Sequence, residues 1–103
     1  MKYKTNKLKK LEAGRWSLLT DDLSRCFLCG GSRDHIHEIY EGAYRQASMR
    51  YGCCIPLCWS CHALVHSDRS VSLKLKKECM TTFIKIYDES TFLSVFKINY
   101  FYR

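Results

Sequence analysis

Polar and apolar side chains follow a period of two over residues 35–40, which is the pattern of a half-buried β-strand. Successive side chains of a strand point to opposite faces, so His35 and His37 share one face and Ile36 and Glu38 share the other. The pattern therefore predicts a strand that presents two imidazoles to a polar site.

An apolar run over residues 53–57 predicts a second strand, and Gly52 turns the chain immediately before it. Pro56 has no amide hydrogen to donate to a ladder, so this strand belongs at the end or the edge of a sheet. Residues 43–51 between the two strands are expected to form a loop or a short helix. The two strands can pair as a hairpin.

Helices are predicted after the hairpin, and the first of them begins near Trp59. Residues 72–87 bury one broad stripe, because apolar side chains recur there at intervals of four. The members of that stripe are Leu75, Cys79, Phe83 and Tyr87. Residues 88–91 supply turn and capping side chains for a last short helix over 92–96.

Lysines dominate the beginning of the chain. We expect residues 1–15 to form a basic arm or helix that ends near Gly14, with Lys9 and Lys10 as candidate contacts for phosphates. A short strand is expected over 16–20. The N-terminal segment thus predicts an electrostatic contact in front of the folded domain.

The chain is long enough for one modest core, since its 103 residues are 47% hydrophobic and 14% aromatic. We expect one small α+β domain over 16–103. Within it, a strand-strand-helix core spans about 35–67 and the C-terminal helices span 71–98.

Seventeen basic residues stand against ten acidic ones, which gives a net charge of +7. A charge of this sign is expected of a protein that approaches polyphosphate. The lysine-rich start is followed by no apolar run of signal-peptide or membrane-span length, so we expect no membrane association. With the cysteine pattern described next, this predicts a reducing, cytoplasmic location.

Two Cys-x-x-Cys pairs, Cys26/Cys29 and Cys58/Cys61, lie on either side of the predicted hairpin strand that carries the histidines. Two sulfurs from one tight turn reach the same zinc ion, and a second such turn completes a tetrahedron. The odd total of seven cysteines argues against a disulfide scaffold. We therefore predict a structural Zn²⁺ site with these four ligands. The cysteines without this spacing are expected to be core thiols: Cys53, Cys54 and Cys79.

His62 and His66 lie one helical turn apart, so both imidazoles project from one helix face and can bind a single ion. His37 is the predicted third ligand, because the hairpin would bring its strand alongside that helix. His35 could exchange with it. Three protein ligands leave coordination positions open for phosphate and water, which is typical of a catalytic metal site.

The arrangement of these motifs resembles the HNH, or ββα-metal, endonuclease family, in particular a compact phage-type branch with a four-cysteine zinc site. The matching positions are 20–23, Cys26, Cys29, Gly30, 35–40, Gly42, Arg45, Ser48, 51–52, 55–62 and 92–100. The resemblance covers most of the chain, and its motifs are specific only when taken together.

The resemblance implies a divalent metal ion, Mg²⁺, Mn²⁺, Ni²⁺ or Zn²⁺, at His37, His62 and His66, and cleavage of DNA to 5′-phosphate and 3′-hydroxyl ends. The general base would be His35 or Glu38: an imidazole titrates closer to neutral pH, whereas Glu38 is next to the ligand, where the family usually places the base. Candidate DNA contacts are Arg45, Arg50 and Gln46, with Lys9 and Lys10 of the arm. The expected partner is double-stranded DNA in a bacterial or phage-infected cell, and phage recombination or packaging proteins are candidate partners.

The chain departs from the family at the central asparagine that gives HNH its middle letter. Its asparagines are Asn6 and Asn99, and neither lies between the predicted hairpin strands. Tyr44 stands before Arg45 where related sequences tend to have asparagine. This departure keeps a second hypothesis open: a catalytically inactive zinc module that binds nucleic acid or a protein partner.

Overall fold

A computed structural model of the protein describes residues 9–10 and 13–103. Most of the predicted basic segment, 1–15, therefore lies outside the described residues. Within that segment Lys9 and Lys10 are helical and exposed, and the amide of Gly14 donates a hydrogen bond to the Lys10 carbonyl over 3.1 Å.

The described part of the chain is a small mixed domain of helices and one two-stranded sheet. Its elements in chain order are β1 (His35–Glu38), a 3₁₀ turn (Gly42–Tyr44), α1 (Arg45–Arg50), β2 (Cys54–Leu57), α2 (Trp59–Ser67), α3 (Arg69–Ile86), α4 (Glu89–Phe96) and a second 3₁₀ turn (Tyr100–Tyr102). Among the described residues, no helix combines the length and the apolar character needed to cross a membrane.

The predicted hairpin is confirmed, because β1 and β2 pair antiparallel with His37 opposite Ile55. Pro56 sits opposite Ile36, and its carbonyl accepts a hydrogen bond from the amide of Phe27 over 2.8 Å. The segment that carries the first cysteine pair thus covers the outer edge of β2. This contact fixes the cysteine turn against the sheet.

The start of α2 is tied to the start of β1 by a side-chain cap. The amide of Trp59 donates to Oδ2 of Asp34 over 2.8 Å, and Asp34 directly precedes the first residue of β1. Val65, on the opposite side of the helix from solvent, is buried in the core. The helix that carries His62 and His66 is therefore held beside the strand that carries His37.

Two of the helices begin earlier than the sequence pattern predicts. The carboxylate of Asp68 accepts hydrogen bonds from the amides of Ser70 and Val71, so α3 starts at Arg69 and not at residue 72. Asp88 caps α4 in the same way by accepting from Thr91 over 2.6 Å. These carboxylates satisfy amides that a helix start leaves unpaired.

The prediction of a strand over 16–20 was wrong. The hydroxyl of Ser17 accepts a hydrogen bond from the amide of Leu19 over 3.0 Å, which bends the chain locally. Leu18 makes one isolated backbone contact, from its amide to the carbonyl of Gly52. A serine hydroxyl thus competes here with a β-ladder.

The core lies between the hairpin and the two C-terminal helices. Aromatic rings dominate it, and Tyr40, Phe83, Phe92 and Phe96 are each at most 1% exposed. Tyr40 packs against Phe96 with ring centroids 4.4 Å apart, and its hydroxyl donates to the carbonyl of Lys76 over 2.7 Å. The remaining cysteines were predicted as core thiols, and their burial confirms this: Cys53, Cys54 and Cys79.

Candidate metal centres

The four cysteines of the two Cys-x-x-Cys pairs come together and could hold a metal ion. The sulfurs of Cys26, Cys29, Cys58 and Cys61 all lie within 4.8 Å of one another, and Cys29 Sγ is 3.6 Å from Cys58 Sγ. A tetrahedral zinc ion with sulfur at about 2.3 Å requires an edge of about 3.8 Å between sulfurs. The cluster has the size that such an ion needs.

Two tight turns build this cluster. The first is closed by hydrogen bonds from the Gly30 amide to the Cys26 carbonyl, 2.9 Å, and from the Cys26 amide to the Gly31 carbonyl, 2.7 Å. The second is the start of α2, where Cys58 is the N-cap and its sulfur accepts from the Cys61 amide over 3.4 Å. Each turn therefore aims a pair of sulfurs at one point.

The thiol pKa values also suit a cation. Burial alone would raise the pKa of Cys26, but the backbone amides of Cys58, Cys29 and Leu28 stabilise the thiolate and lower this pKa to about 6. In contrast, burial and the neighbouring thiols raise the pKa of Cys61. A first thiolate forms readily, whereas further thiolates repel it, and a divalent cation would remove that repulsion.

A second group consists of three histidines from two elements. The ligand nitrogens of His37, His62 and His66 all lie within 4.8 Å of one another. Within the group, Nε2 of His62 is 3.0 Å from Nε2 of His66, as their spacing on α2 predicts. The hairpin brings His37 to them, so the predicted ligand set is assembled in one place.

Burial and neighbouring charges favour the neutral form of two imidazoles in this group, His37 and His62. Burial lowers the pKa of His37 to about 4, with further lowering by the charges of His62, His66 and Lys76. Burial also lowers the pKa of His62, again together with its histidine neighbours. A neutral imidazole has the free lone pair that metal binding requires.

His35 lies beside this group and not within it. Its ring centroid is 5.0 Å from that of His62 and 4.8 Å from that of Trp59. His35 and His37 share a face of β1, as the strand pattern predicts. His35 is therefore placed next to the three imidazoles, with Trp59 on its outer side.

Glu38, the other candidate base, faces a pair of arginines. Its Oε1 is 2.5 Å from Nη1 of Arg15, and its Oε2 is 3.8 Å from Nε of Arg45. Both members of the closer pair are largely buried, with 14% and 18% of their side chains exposed. The Glu38 carboxylate is thus engaged in an ion pair.

Glu41 lies at the histidine site, although no sequence motif predicted it there. Its Oε1 lies 3.8 Å from Nε2 of His37, although β1 ends at Glu38 and the chain then turns. The only hint in the sequence was an acidic residue four positions after the predicted ligand His37. A strand that continued through residue 40, as predicted, would have carried Glu41 away from the site. A carboxylate thus stands next to the innermost imidazole.

The predicted nucleic-acid contacts are scattered. Arg45 lies near the site through its contact with Glu38, whereas Gln46 and Arg50 line a separate cavity of about 210 Å³ with Tyr51 and Val95. That cavity contains none of the three histidines. Lys9 and Lys10 are exposed in the described part of the N-terminal segment.

Protein-family models, curated proteins and solved structures were compared with the chain, and none matches. The structure itself establishes a small domain of helices and a two-stranded sheet, with a cysteine cluster that could hold a metal ion. The resemblance to HNH endonucleases stays a prediction from sequence motifs.

Proposed function

We propose that the protein is a metal-dependent endonuclease of the ββα-metal type that hydrolyses phosphodiester bonds of DNA. The observation that carries the proposal is the convergence of His37 from β1 with His62 and His66 from α2 within 4.8 Å. A structural zinc site needs four protein ligands and already has them in the cysteines. Three further imidazoles in one place have no use in a purely structural role.

The residues fit two ions with different tasks. Cys26, Cys29, Cys58 and Cys61 form a closed set for Zn²⁺, and the three histidines form an open set for Mg²⁺, Mn²⁺, Ni²⁺ or Zn²⁺. When bound at the histidines, a divalent ion would supply Lewis-acid stabilisation of the charge that develops on the phosphate.

We assign the general base to His35. Its imidazole lies on the same face of β1 as His37 and next to His62, whereas Glu38 is paired with Arg15. In this role His35 accepts one proton from the attacking water as the new P–O bond forms. The bond to the 3′ oxygen breaks, and that oxygen leaves with a proton from solvent as a 3′-hydroxyl, opposite a 5′-phosphate end.

In this scheme, packing of aromatic rings around His35 takes over the orienting role of the missing asparagine. In the related family, the asparagine would orient the base or the ligand shell. Here the His35 ring is held between the rings of Trp59 and His62. The Asp34 carboxylate adds to this support because it fixes the backbone of Trp59.

Double-stranded DNA is the proposed substrate because the protein carries a net positive charge. The net charge of +7 favours a polyanion, and contacts to the sugar-phosphate backbone make affinity fall steeply with salt. We expect little base preference. A location in the cytoplasm of a bacterial or phage-infected cell and cooperation with phage recombination or packaging proteins belong to the same proposal.

The second candidate function is an inactive zinc module that binds nucleic acid or a protein. The lack of an asparagine between β1 and β2 favours this function. The four-cysteine cluster alone could maintain the fold of such a module. The two candidates differ in whether the histidines bind an ion and support cleavage.

Nicking of supercoiled plasmid tests the proposal. The purified protein is incubated with Mg²⁺, Mn²⁺, Ni²⁺ or Zn²⁺, beside a His37→Ala variant purified in the same way. We expect nicking by the wild type with at least one ion, and a loss of at least 100-fold in the variant, in line with a general contribution of metal catalysis of several kcal/mol. Undiminished nicking by the variant would show a contaminant or a wrong assignment.

A further inference from the structure

A cavity of about 330 Å³ opens beside His66, one of the three clustered histidines, on the side of α3. His66 and Glu41 line it towards the histidines, and Arg69, Ser72 and Lys76 line it from α3. None of the three α3 residues figures in the predicted DNA contacts. The cavity therefore joins the histidine site to a group of side chains to which the motifs assign no role.

The α3 side of this cavity is basic and lies on one face of the helix. Arg69, Ser72 and Lys76 are three and four residues apart, which is the spacing of neighbours on a helix surface. Among the described residues, neither cation has a carboxylate within 4 Å. Two cations and a hydroxyl are thus directed at one space without an anionic partner.

Lys76 is held in place by the aromatic core. The Tyr40 hydroxyl donates to its carbonyl over 2.7 Å, and its Nζ lies 5.8 Å from the ring centroid of Tyr100. The backbone of Lys76 is therefore anchored to the core, and its ammonium group lies over the Tyr100 ring beside the cavity.

Glu41 is the acid that lines this cavity, and its position leaves the basic side free. Its Oε1 lies 3.8 Å from Nε2 of His37, and it forms no ion pair with Arg69 or Lys76 within the described residues. The cavity is thus divided into an acidic edge at the imidazoles and a basic wall on α3.

We propose that Arg69, Ser72 and Lys76 form a binding subsite for a backbone phosphate of the DNA strand, next to the phosphodiester bond held at the three histidines. This inference rests on the proposed function and adds to it the element that positions the substrate. A guanidinium fork and an ammonium group are the usual phosphate ligands in proteins, and a hydroxyl adds a donor. The subsite would place the strand along α3, away from Arg50 and Gln46.

The same helix supplies matched controls. Lys74 and Lys77 lie on another face of α3, where they line a separate cavity of about 650 Å³ together with Leu19 and Phe27. Replacing either of them removes the same charge from the same helix. If long-range electrostatics alone determined DNA affinity, substitution of Lys74 or Lys77 would lower it as much as substitution of Arg69 or Lys76.

The experiment measures binding of a fluorescein-labelled 20-base-pair duplex by anisotropy at several salt concentrations, without added divalent ion. It compares the protein as purified with Arg69→Gln, Lys76→Gln, Lys74→Gln and Lys77→Gln variants. We expect the first two substitutions to raise Kd about tenfold each, because a charged hydrogen bond is lost. Each should also lower the slope of log K against log salt by about 1. The two control variants should stay within about twofold of the wild type.

The outcomes separate this inference from the proposed function. Equal weakening in all four variants, or none in Arg69→Gln and Lys76→Gln, overturns the subsite even if plasmid nicking is intact. Selective weakening in those two variants supports the subsite even if the protein cleaves nothing. A wild type that binds no duplex overturns both proposals. Thermal unfolding of each variant verifies that weakened binding is not a loss of fold.

Discussion

The Oε1 atom of Glu38 lies 2.5 Å from the Nη1 atom of Arg15. This ion pair joins β1 to the segment that precedes the cysteine turns, and both side chains are largely buried. Because successive side chains of a strand point to opposite faces, Glu38 lies on the other face of β1 from His35 and His37. The pair gives Glu38 a structural task, which supports the proposal of His35 as the general base.

Glu38→Gln should reduce stability more than cleavage. The substitution leaves the buried Arg15 without its anion, so we expect a loss of about 2 kcal/mol in the free energy of unfolding. Plasmid nicking should fall by less than about tenfold, whereas His35→Ala should lower it by about 10² to 10⁴ through loss of the base. Urea unfolding and single-turnover nicking measure the two effects. A greater loss of nicking in Glu38→Gln than in His35→Ala would make Glu38 the base.

Glu41→Gln should weaken the binding of a divalent ion at the histidines. Its carboxylate is 3.8 Å from Nε2 of His37, and removal of a negative charge beside a metal site typically costs about 10- to 100-fold in affinity. Titration with Co²⁺, followed by its visible absorption, measures this affinity. Glu89→Gln, at the exposed start of α4, is the matched control and should leave the affinity unchanged. Equal affinities in Glu41→Gln and the wild type would exclude an influence of Glu41 on the ion.

Cys58→Ser should unfold the domain and not merely inactivate it. Cys58 supplies a sulfur to the cysteine cluster and also caps α2, so its loss would remove one ligand of the proposed zinc ion as well as the cap. Circular dichroism should show a loss of helix, and a chelator should produce the same change in the wild type. Cys53→Ser, which changes a buried thiol outside the cluster, is the control for the substitution itself. A folded, stable Cys58→Ser protein would contradict the structural role.

Gly52→Ala should destabilise the protein more than Gly42→Ala. Both glycines have a positive φ, +69° and +64°, so alanine costs about 1 kcal/mol at either position. At Gly52 a Cβ would also lie 2.8 Å from the Trp16 ring, whereas at Gly42 it would meet nothing within 4 Å. We expect losses of about 3 and about 1 kcal/mol, measured by urea unfolding. Similar losses at both positions would mean that the Trp16 ring moves away without cost.

The sequence predicted the elements that bear the candidate ligands because their signals are local. The alternation over residues 35–40 and the apolar run before Cys58 predicted the hairpin, and the four-residue spacing of His62 and His66 predicted a shared helix face. The cysteine pairs carry their geometry within a turn. The cysteine cluster and the histidine cluster were both predicted with their full membership.

The parts that the sequence did not predict depend on contacts between distant residues or on small backbone changes. The partner of Glu38 is Arg15, which no local pattern connects to β1. Glu41 reaches His37 because the strand stops at Glu38 and the chain turns. Arg69 and Lys76 share a cavity with His66 because α3 packs beside α2.

The proposed function depends on a metal site at the three histidines that is separate from the cysteine cluster. Native mass spectrometry of the Zn²⁺-saturated protein tests it most directly, with a His62→Ala/His66→Ala variant as comparison. We expect two ions in the wild type and one in the variant, with the remaining ion retained by the cysteines. One ion in both proteins would contradict the claim.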